Sequence, residues 1–348
     1  MSNFHFKRLE KYKVSGTAER MELSIPLPKT PSGKVYRWCP NDKCTPRLFL
    51  LGNTQRIENI DLTKFRRTPG TQGTTCPYCG TDADDSKFNY EGDIEAIINY
   101  IAWAYKKDVG DLLNSKIKEF NRSQSGRGLI SIKMEVKSDN SPEPRVWRED
   151  LIRNLACDVC GCNYGVYAIA LFCPDCGSKN LHVHFEREIE LVLQQIDLAD
   201  QIAENDEAEL SYRILGNAHE DVLTAFETYQ KTCYIYMIRK TLPEEEAEKL
   251  LNKGSIGNRF QNIEKAIKLY NNLSINPFFS LTSDELHKLK IYIEKRHVIG
   301  HNLSIADETY YDIAEDKKPG TTINIIGNEI SDFAQITKKV ILDLERLL

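Results

Sequence analysis

Between Gly92 and about Phe120 the apolar residues Ile94, Ile97, Ile98, Ile101, Tyr105, Leu112 and Ile117 recur mostly at spacings of three and four. That period predicts one long amphipathic helix, with Gly110 a tolerated weak point. The next segment is mixed. Ser123 to Gly128 reads as a turn, Leu129 to Val136 alternates like a strand, and Lys137 to Pro144 is a polar loop. The run from Tyr164 to Phe172 suits a short buried strand. In Leu181 to Phe185, His182 and His184 alternate and would share one face of a strand as surface or packing residues.

From Glu186 onward the helical period dominates. Ile189, Val192, Leu193, Ile196 and Ala199 predict a connecting helix that ends in the charged stretch Glu204 to Glu207. Leu215, Ala218, Val222, Phe226, Tyr229, Cys233 and Tyr236 mark a longer helix up to Lys240, where Cys233 is a core residue. Thr241-Leu-Pro-Glu244 reads as a capping box with proline in the first turn, Ile256 to Tyr270 as a third helix, and Thr282-Ser-Asp-Glu285 as a second capping box. A last helix carries Ile326, Ile330, Phe333, Ile336, Val340, Leu344 and Leu347. Residues 205–348 thus form a helical bundle of single-domain size.

Composition places the chain among ordinary globular proteins: 348 residues, 41% apolar and 28% charged. Its longest apolar runs are too short to span a bilayer, so a cytoplasmic protein with no membrane partner is expected. The net charge of −5 is unevenly distributed: residues 1–80 carry +8, residues 81–190 carry −5 and residues 191–348 carry −8. A basic front end, with Lys64, Arg66 and Arg67 clustered, could hold nucleic acid or an acidic protein surface. Uneven solvated charge is the plainer reading, since zinc-bound thiolates would offset the excess.

Eight of the ten cysteines form four knuckles. Cys39 and Cys44 are answered by Cys76 and Cys79 across an insertion, and Cys157 and Cys160 by Cys173 and Cys176. Such spacing predicts two structural zinc ribbons, because four thiolates close the tetrahedral shell of Zn(II) and leave no open catalytic position. Cys162 is a bystander, since a fifth thiolate has no place in a tetrahedron. The expected organisation is a basic zinc ribbon over residues 1–90, the amphipathic helix over 91–124, a second ribbon over 125–185, a connecting helix over 186–204 and the bundle over 205–348. No phosphate-cradling glycine loop is found.

Near the end of the helix capped at Thr282, the stripe Leu286, Leu289, Ile293 continues into Arg296, His297 and Gly300, with His301 and Asn302 immediately after. Polar groups therefore occupy a face expected to be buried, which suits a site completed by a ligand or a second subunit. On spacing alone Arg-x4-His is weak in a chain with 18 arginines and 7 histidines; the helix and domain that hold it give it weight.

Arg296, His297 and His301 match the signature of the HEPN ribonucleases, which the segment 205–348 resembles. The full arrangement, two four-cysteine zinc modules before such a domain, is similar to the ring-activated zinc-finger ribonucleases of bacterial anti-phage defence. The resemblance implies a multidomain α+β chain of zinc-ribbon β modules, an intervening long helix and an all-α HEPN bundle. It implies a homodimer, or a higher oligomer or ring, whose facing motifs cut RNA without a metal ion and leave a 2',3'-cyclic phosphate. It also implies a phage structural protein as trigger, with the basic zinc end the candidate sensor.

Residue chemistry agrees. Metal-free RNA cleavage needs a base for the 2'-hydroxyl, an acid for the leaving 5'-oxygen and a cation for charge on phosphorus; histidine serves as base or acid near neutral pH, and arginine offers a planar donor fork. His301 would be base or acid and Arg296 the phosphate ligand, with His297 and possible help from Asn302 in support. Positions five apart on a helix differ by about 140° in azimuth, so either Gly300 bends the helix end or a partner's motif completes the site. Three rival readings remain open: a His297/His301 metal site, a capped helix end with core histidines, and a non-enzymatic zinc-ribbon adaptor that binds nucleic acid or protein through its basic end.

Overall fold

The computed structural model describes residues 6–17, 20–54, 62–124, 152–252, 256–314 and 318–348. The strand and loop expected at 129–144 lie outside the described residues. The fold is mixed: small antiparallel sheets lead, and helices dominate the C-terminal half.

At the N-terminus α1 (Lys7–Glu10) and the hairpin β1 (Lys13–Gly16) and β2 (Met21–Leu23) precede the first four-cysteine module. That module comprises β3 (Val35–Trp38), β4 (Leu48–Thr54), β5 (Thr74–Thr75) and β6 (Asp82–Ala83). Next comes α2 (Glu91–Gln124), as its helical period requires; at about 1.5 Å per residue its 34 residues extend for about 51 Å. α1 is held to it by Arg8, whose guanidinium meets Asp108 at 2.6 Å and Asp111 at 2.8 Å, and by Phe6 stacked on Tyr105.

The second module adds β7 (Arg153–Ala156) and β8 (Cys162–Val166). Its strand is thus centred earlier than the expected 164–172 run. The two modules are not separate ribbons: β3, β4, β8 and β7 lie side by side in one antiparallel sheet, with Phe49 opposite Val166 and Leu51 opposite Tyr164. The join is close. A Cβ on Gly52 of β4 would stand 2.5 Å from the Asn163 carbonyl oxygen of β8, so only glycine fits here. Phe49, Tyr164, Val166 and the cysteines of both clusters form one buried core.

α3 (Leu181–Ala203) begins earlier than expected, and it corrects the reading of His182 and His184 as strand residues. Leu181, Phe185, Ile189, Val192, Ile196 and Ala199 are its buried face. Three residues of alternation looked like a strand only because two histidines happened to sit within the first turn. α3 packs along α4 (Ala208–Thr241) and α9 (Gly327–Leu347), so it is a wall of the bundle and shares one core running from Leu171 to Leu348. The break between α3 and α4 falls at Asp206, in the left-handed region at φ 64°.

α5 (Glu244–Asn252), α6 (Ile263–Asn271), α7 (Ser283–His301) and α8 (Glu308–Ala314) complete the described helices. Two caps differ from expectation. The Thr241 hydroxyl donates back to the Met237 carbonyl at 2.7 Å instead of capping α5. The expected third helix is divided, because the Asn262 side chain accepts from the Lys265 N–H and starts α6 afresh after a 3-10 turn at Gly257–Gln261. At α7, by contrast, both halves of the Thr282–Glu285 capping box are present.

Candidate functional site

The four knuckles bring their sulfurs together as their spacing requires. Cys39 and Cys79 lie 3.7 Å apart and Cys44 and Cys76 3.7 Å; in the second cluster Cys157 and Cys176 lie 3.9 Å apart and Cys160 and Cys173 3.6 Å. Zn–S bonds of about 2.3 Å in a tetrahedron imply S···S edges of about 3.8 Å, so both sets fit the ion. In three knuckles a glycine follows the second cysteine with positive φ (Gly80, Gly161, Gly177), and its N–H donates to the carbonyl of the first cysteine. Those turns aim both thiols inward. Among the described residues these two cysteine groups are the ones with metal-binding geometry, and Cys162, though fully buried, belongs to neither.

The basic cluster of the front end is partly structural. Arg67 donates to the Thr75 hydroxyl at 2.8 Å and to the Pro174 carbonyl at 2.9 Å, and Arg66 lies over the Phe172 ring at 4.3 Å. Arg67 clasps the second four-cysteine module, whereas Arg66, resting on Phe172, and Lys64 are exposed. His182 is a second clasp. Its Nδ1 meets Glu345 of α9 at 2.8 Å and its Nε2 meets Asp158, inside a zinc knuckle, at 3.0 Å. His184 is buried and its Nδ1 accepts from the Ala170 N–H at 3.0 Å; burial holds its pKa down at about 3.

At the motif, α7 continues through Gly300 to His301, so that glycine does not end the helix. The helix closes instead at Asn302, and the left-handed turn is made by Leu303 and Ser304, at φ 50° and 65°. A Cβ at Gly300 would meet nothing within 4 Å, so its lack of a side chain is not demanded locally. The buried stripe of α7 also turns away from the expected line: Leu289, Tyr292, Ile293, Lys295 and Val298 are buried, while Arg296 and His297 are half-buried and His301 is exposed.

Arg296 and His301 therefore remain on different sides of one helix. Arg296 reaches across to α4, where its Nη2 donates to Glu220 Oε1 at 2.8 Å, and its buried Nε has no hydrogen-bond partner. His297 and His301 stack at 5.9 Å between ring centroids, with planes 27° apart. Asn302 is engaged elsewhere, donating to Asp307 at 2.8 Å. The two histidines have no third ligand among the described residues, so they do not form a metal site within one chain.

Four residues that the sequence did not single out shape this end of the bundle. Glu220 is the Arg296 partner, and Glu294, one turn before His297, is pushed above the usual carboxylate range by burial, with His297 acting in the opposite sense. Lys295 is 3% exposed and survives there through Glu329, at 2.6 Å. His219, next to Glu220, sits in the core: burial lowers its pKa to about 4, and its Nε2 donates to the Tyr292 carbonyl at 2.8 Å. The only available signal was a polar residue interrupting an apolar stripe. Comparison with models of protein families, with curated proteins and with solved structures finds no match to this chain.

Proposed function

We propose that the chain is a metal-independent endoribonuclease, with an HEPN-like helical domain as its catalytic part and two structural zinc ions in modules that serve recognition, regulation or assembly. The observation that carries this reading is the last turn of α7, which presents two stacked, solvent-reachable imidazoles beside an arginine whose Nε is unsatisfied. One imidazole can take the 2'-hydroxyl proton while another returns a proton to the leaving 5'-oxygen, and the guanidinium offsets charge on phosphorus, leaving a 2',3'-cyclic phosphate.

Because an unbroken helix keeps Arg296 and His301 on different azimuths, the working site requires a second copy, with Arg296 of one chain facing His301 of the other. Leu303, 88% exposed directly after the motif, and Ile305 supply apolar surface for that pairing. The setting we infer is cytoplasmic and defensive, since free ribonuclease is toxic to its own cell: a homodimer or larger ring released by a phage structural protein. No described helix is long and apolar enough to cross a membrane.

The test is incubation of purified protein with total RNA, with and without EDTA, alongside Arg296→Ala and His301→Ala. Cleavage by wild type that persists in EDTA while the fold holds, and its loss in both variants, is expected. Equal RNA profiles for wild type and both variants would overturn the reading. Loss of cleavage in EDTA before unfolding would favour a metal hydrolase instead. The nucleic-acid adaptor reading loses ground because Arg67 is committed to the second four-cysteine module.

A further inference from the structure

The helical half is acidic, but not uniformly. Residues 257–301 carry seven Lys and Arg against four Asp and Glu, whereas the rest of 191–348 carries 11 against 22. Two of those cations, Lys265 and Lys290, line a cleft of about 510 Å³ between the 3-10 turn at Gly257–Gln261, α6 and α7, together with Glu264, Glu294 and His297. Exposed Lys265 and half-buried Lys290 stand at its edges, and Ile263, Ile293 and Ile313 give it apolar surface.

The polar groups of the cleft are unequal. Gln261 donates one amide N–H to Glu227 at 2.6 Å, which leaves its carbonyl oxygen and one N–H for a ligand. Glu294 adds a carboxyl one turn before His297. Lys290 meets Glu264 at 3.2 Å, an exposed pair of little strength that a phosphate can displace. The lining therefore combines acceptors on Gln261 and Glu294 with the cations Lys265 and Lys290. That arrangement suits a planar group bearing N–H donors attached to a backbone bearing negative charge.

We infer that this cleft holds a nucleotide of single-stranded RNA beside the scissile phosphate, and selects adenine and cytosine, which carry an exocyclic amine at the position where uracil and guanine carry a carbonyl oxygen, over uracil. Lys265 and Lys290 take the flanking phosphate, and Glu294 and Gln261 accept from the amine. Uracil keeps its N3–H donor but carries the O4 carbonyl oxygen in place of the amine, and there meets acceptor against acceptor. This rests on the ribonuclease reading but can fail separately from it.

The experiment uses full-length, zinc-loaded His301→Ala protein and short labelled oligoadenylate, oligocytidylate and oligouridylate, read by fluorescence anisotropy. Adenylate and cytidylate should bind about tenfold more tightly than uridylate, as one base-edge contact allows. Glu294→Met should collapse that ratio without unfolding the protein. Lys265→Glu with Lys290→Glu should weaken all three, and Lys249→Glu on α5, away from the cleft, should weaken none. Equal binding of the three oligomers, or equal effects of the cleft and α5 charge reversals, overturns the inference. If wild type still cleaves total RNA in that case, the ribonuclease reading stands and only the cleft assignment falls.

Discussion

His182 joins the Cys157–Cys160 knuckle to the last turn of the last helix, and this clasp should show itself as pH-dependent stability. Burial of the ring opposes its protonation, but hydrogen bonds and charge from Asp158 and Glu345 outweigh that and raise its pKa to about 10 from an ordinary 6.5. Each unit is worth about 1.36 kcal/mol, so the shift sets a ceiling of about 5 kcal/mol, and loss of one partner from a buried pair typically costs about 3–5 kcal/mol. The side chain is 17% exposed, which argues for the lower end.

A pKa raised on folding contributes stability that is fully present below about pH 6.5 and is lost as pH rises toward 10. Urea unfolding of zinc-loaded wild type and His182→Gln across that range isolates the effect, because other titrating groups cancel in the difference. The wild-type advantage should be about 3 kcal/mol near pH 6 and should shrink by up to about 1.4 kcal/mol per pH unit above 6.5. A gap below about 1 kcal/mol, or one that stays flat between pH 6 and 10, would refute the assignment of a charged imidazolium bridging α9 and the knuckle.

Cys157→Ser should release zinc from the second site and destabilise the first module as well, since both share the β3–β4–β8–β7 sheet; metal content by mass spectrometry and near-ultraviolet circular dichroism read the two effects. Thr282→Ala removes one half of the α7 capping box and should cost about 1 kcal/mol in thermal unfolding. Glu220→Gln removes the carboxylate that competes with phosphate for Arg296. Because Glu220 is 41% exposed, the change should cost the fold under about 1 kcal/mol while tightening RNA binding in a filter assay.

Local order in the sequence determined much of this protein. Cysteine spacing identified both four-sulfur clusters, because each knuckle is a tight turn whose geometry is written in a few consecutive residues, glycine included. The long helix of residues 91–124, α4, the Thr282 cap and α9 likewise follow from apolar period and capping chemistry, which act within one or two turns. Contacts between distant segments were decided by tertiary structure alone. Pairing of β4 with β8 fused two expected ribbons into one module, and nothing in the residues around Leu50 names the distant Gly165 as its neighbour. Arg67 looked like part of a nucleic-acid patch until the second module engaged its guanidinium at the Asp175 and Pro174 carbonyls. At the motif, residue types proposed the chemistry, but the rotation of α7 against α4 set which of them are buried: it turned Lys295 inward to Glu329, gave Arg296 to Glu220, and left His297 and His301 stacked at the open end of the helix.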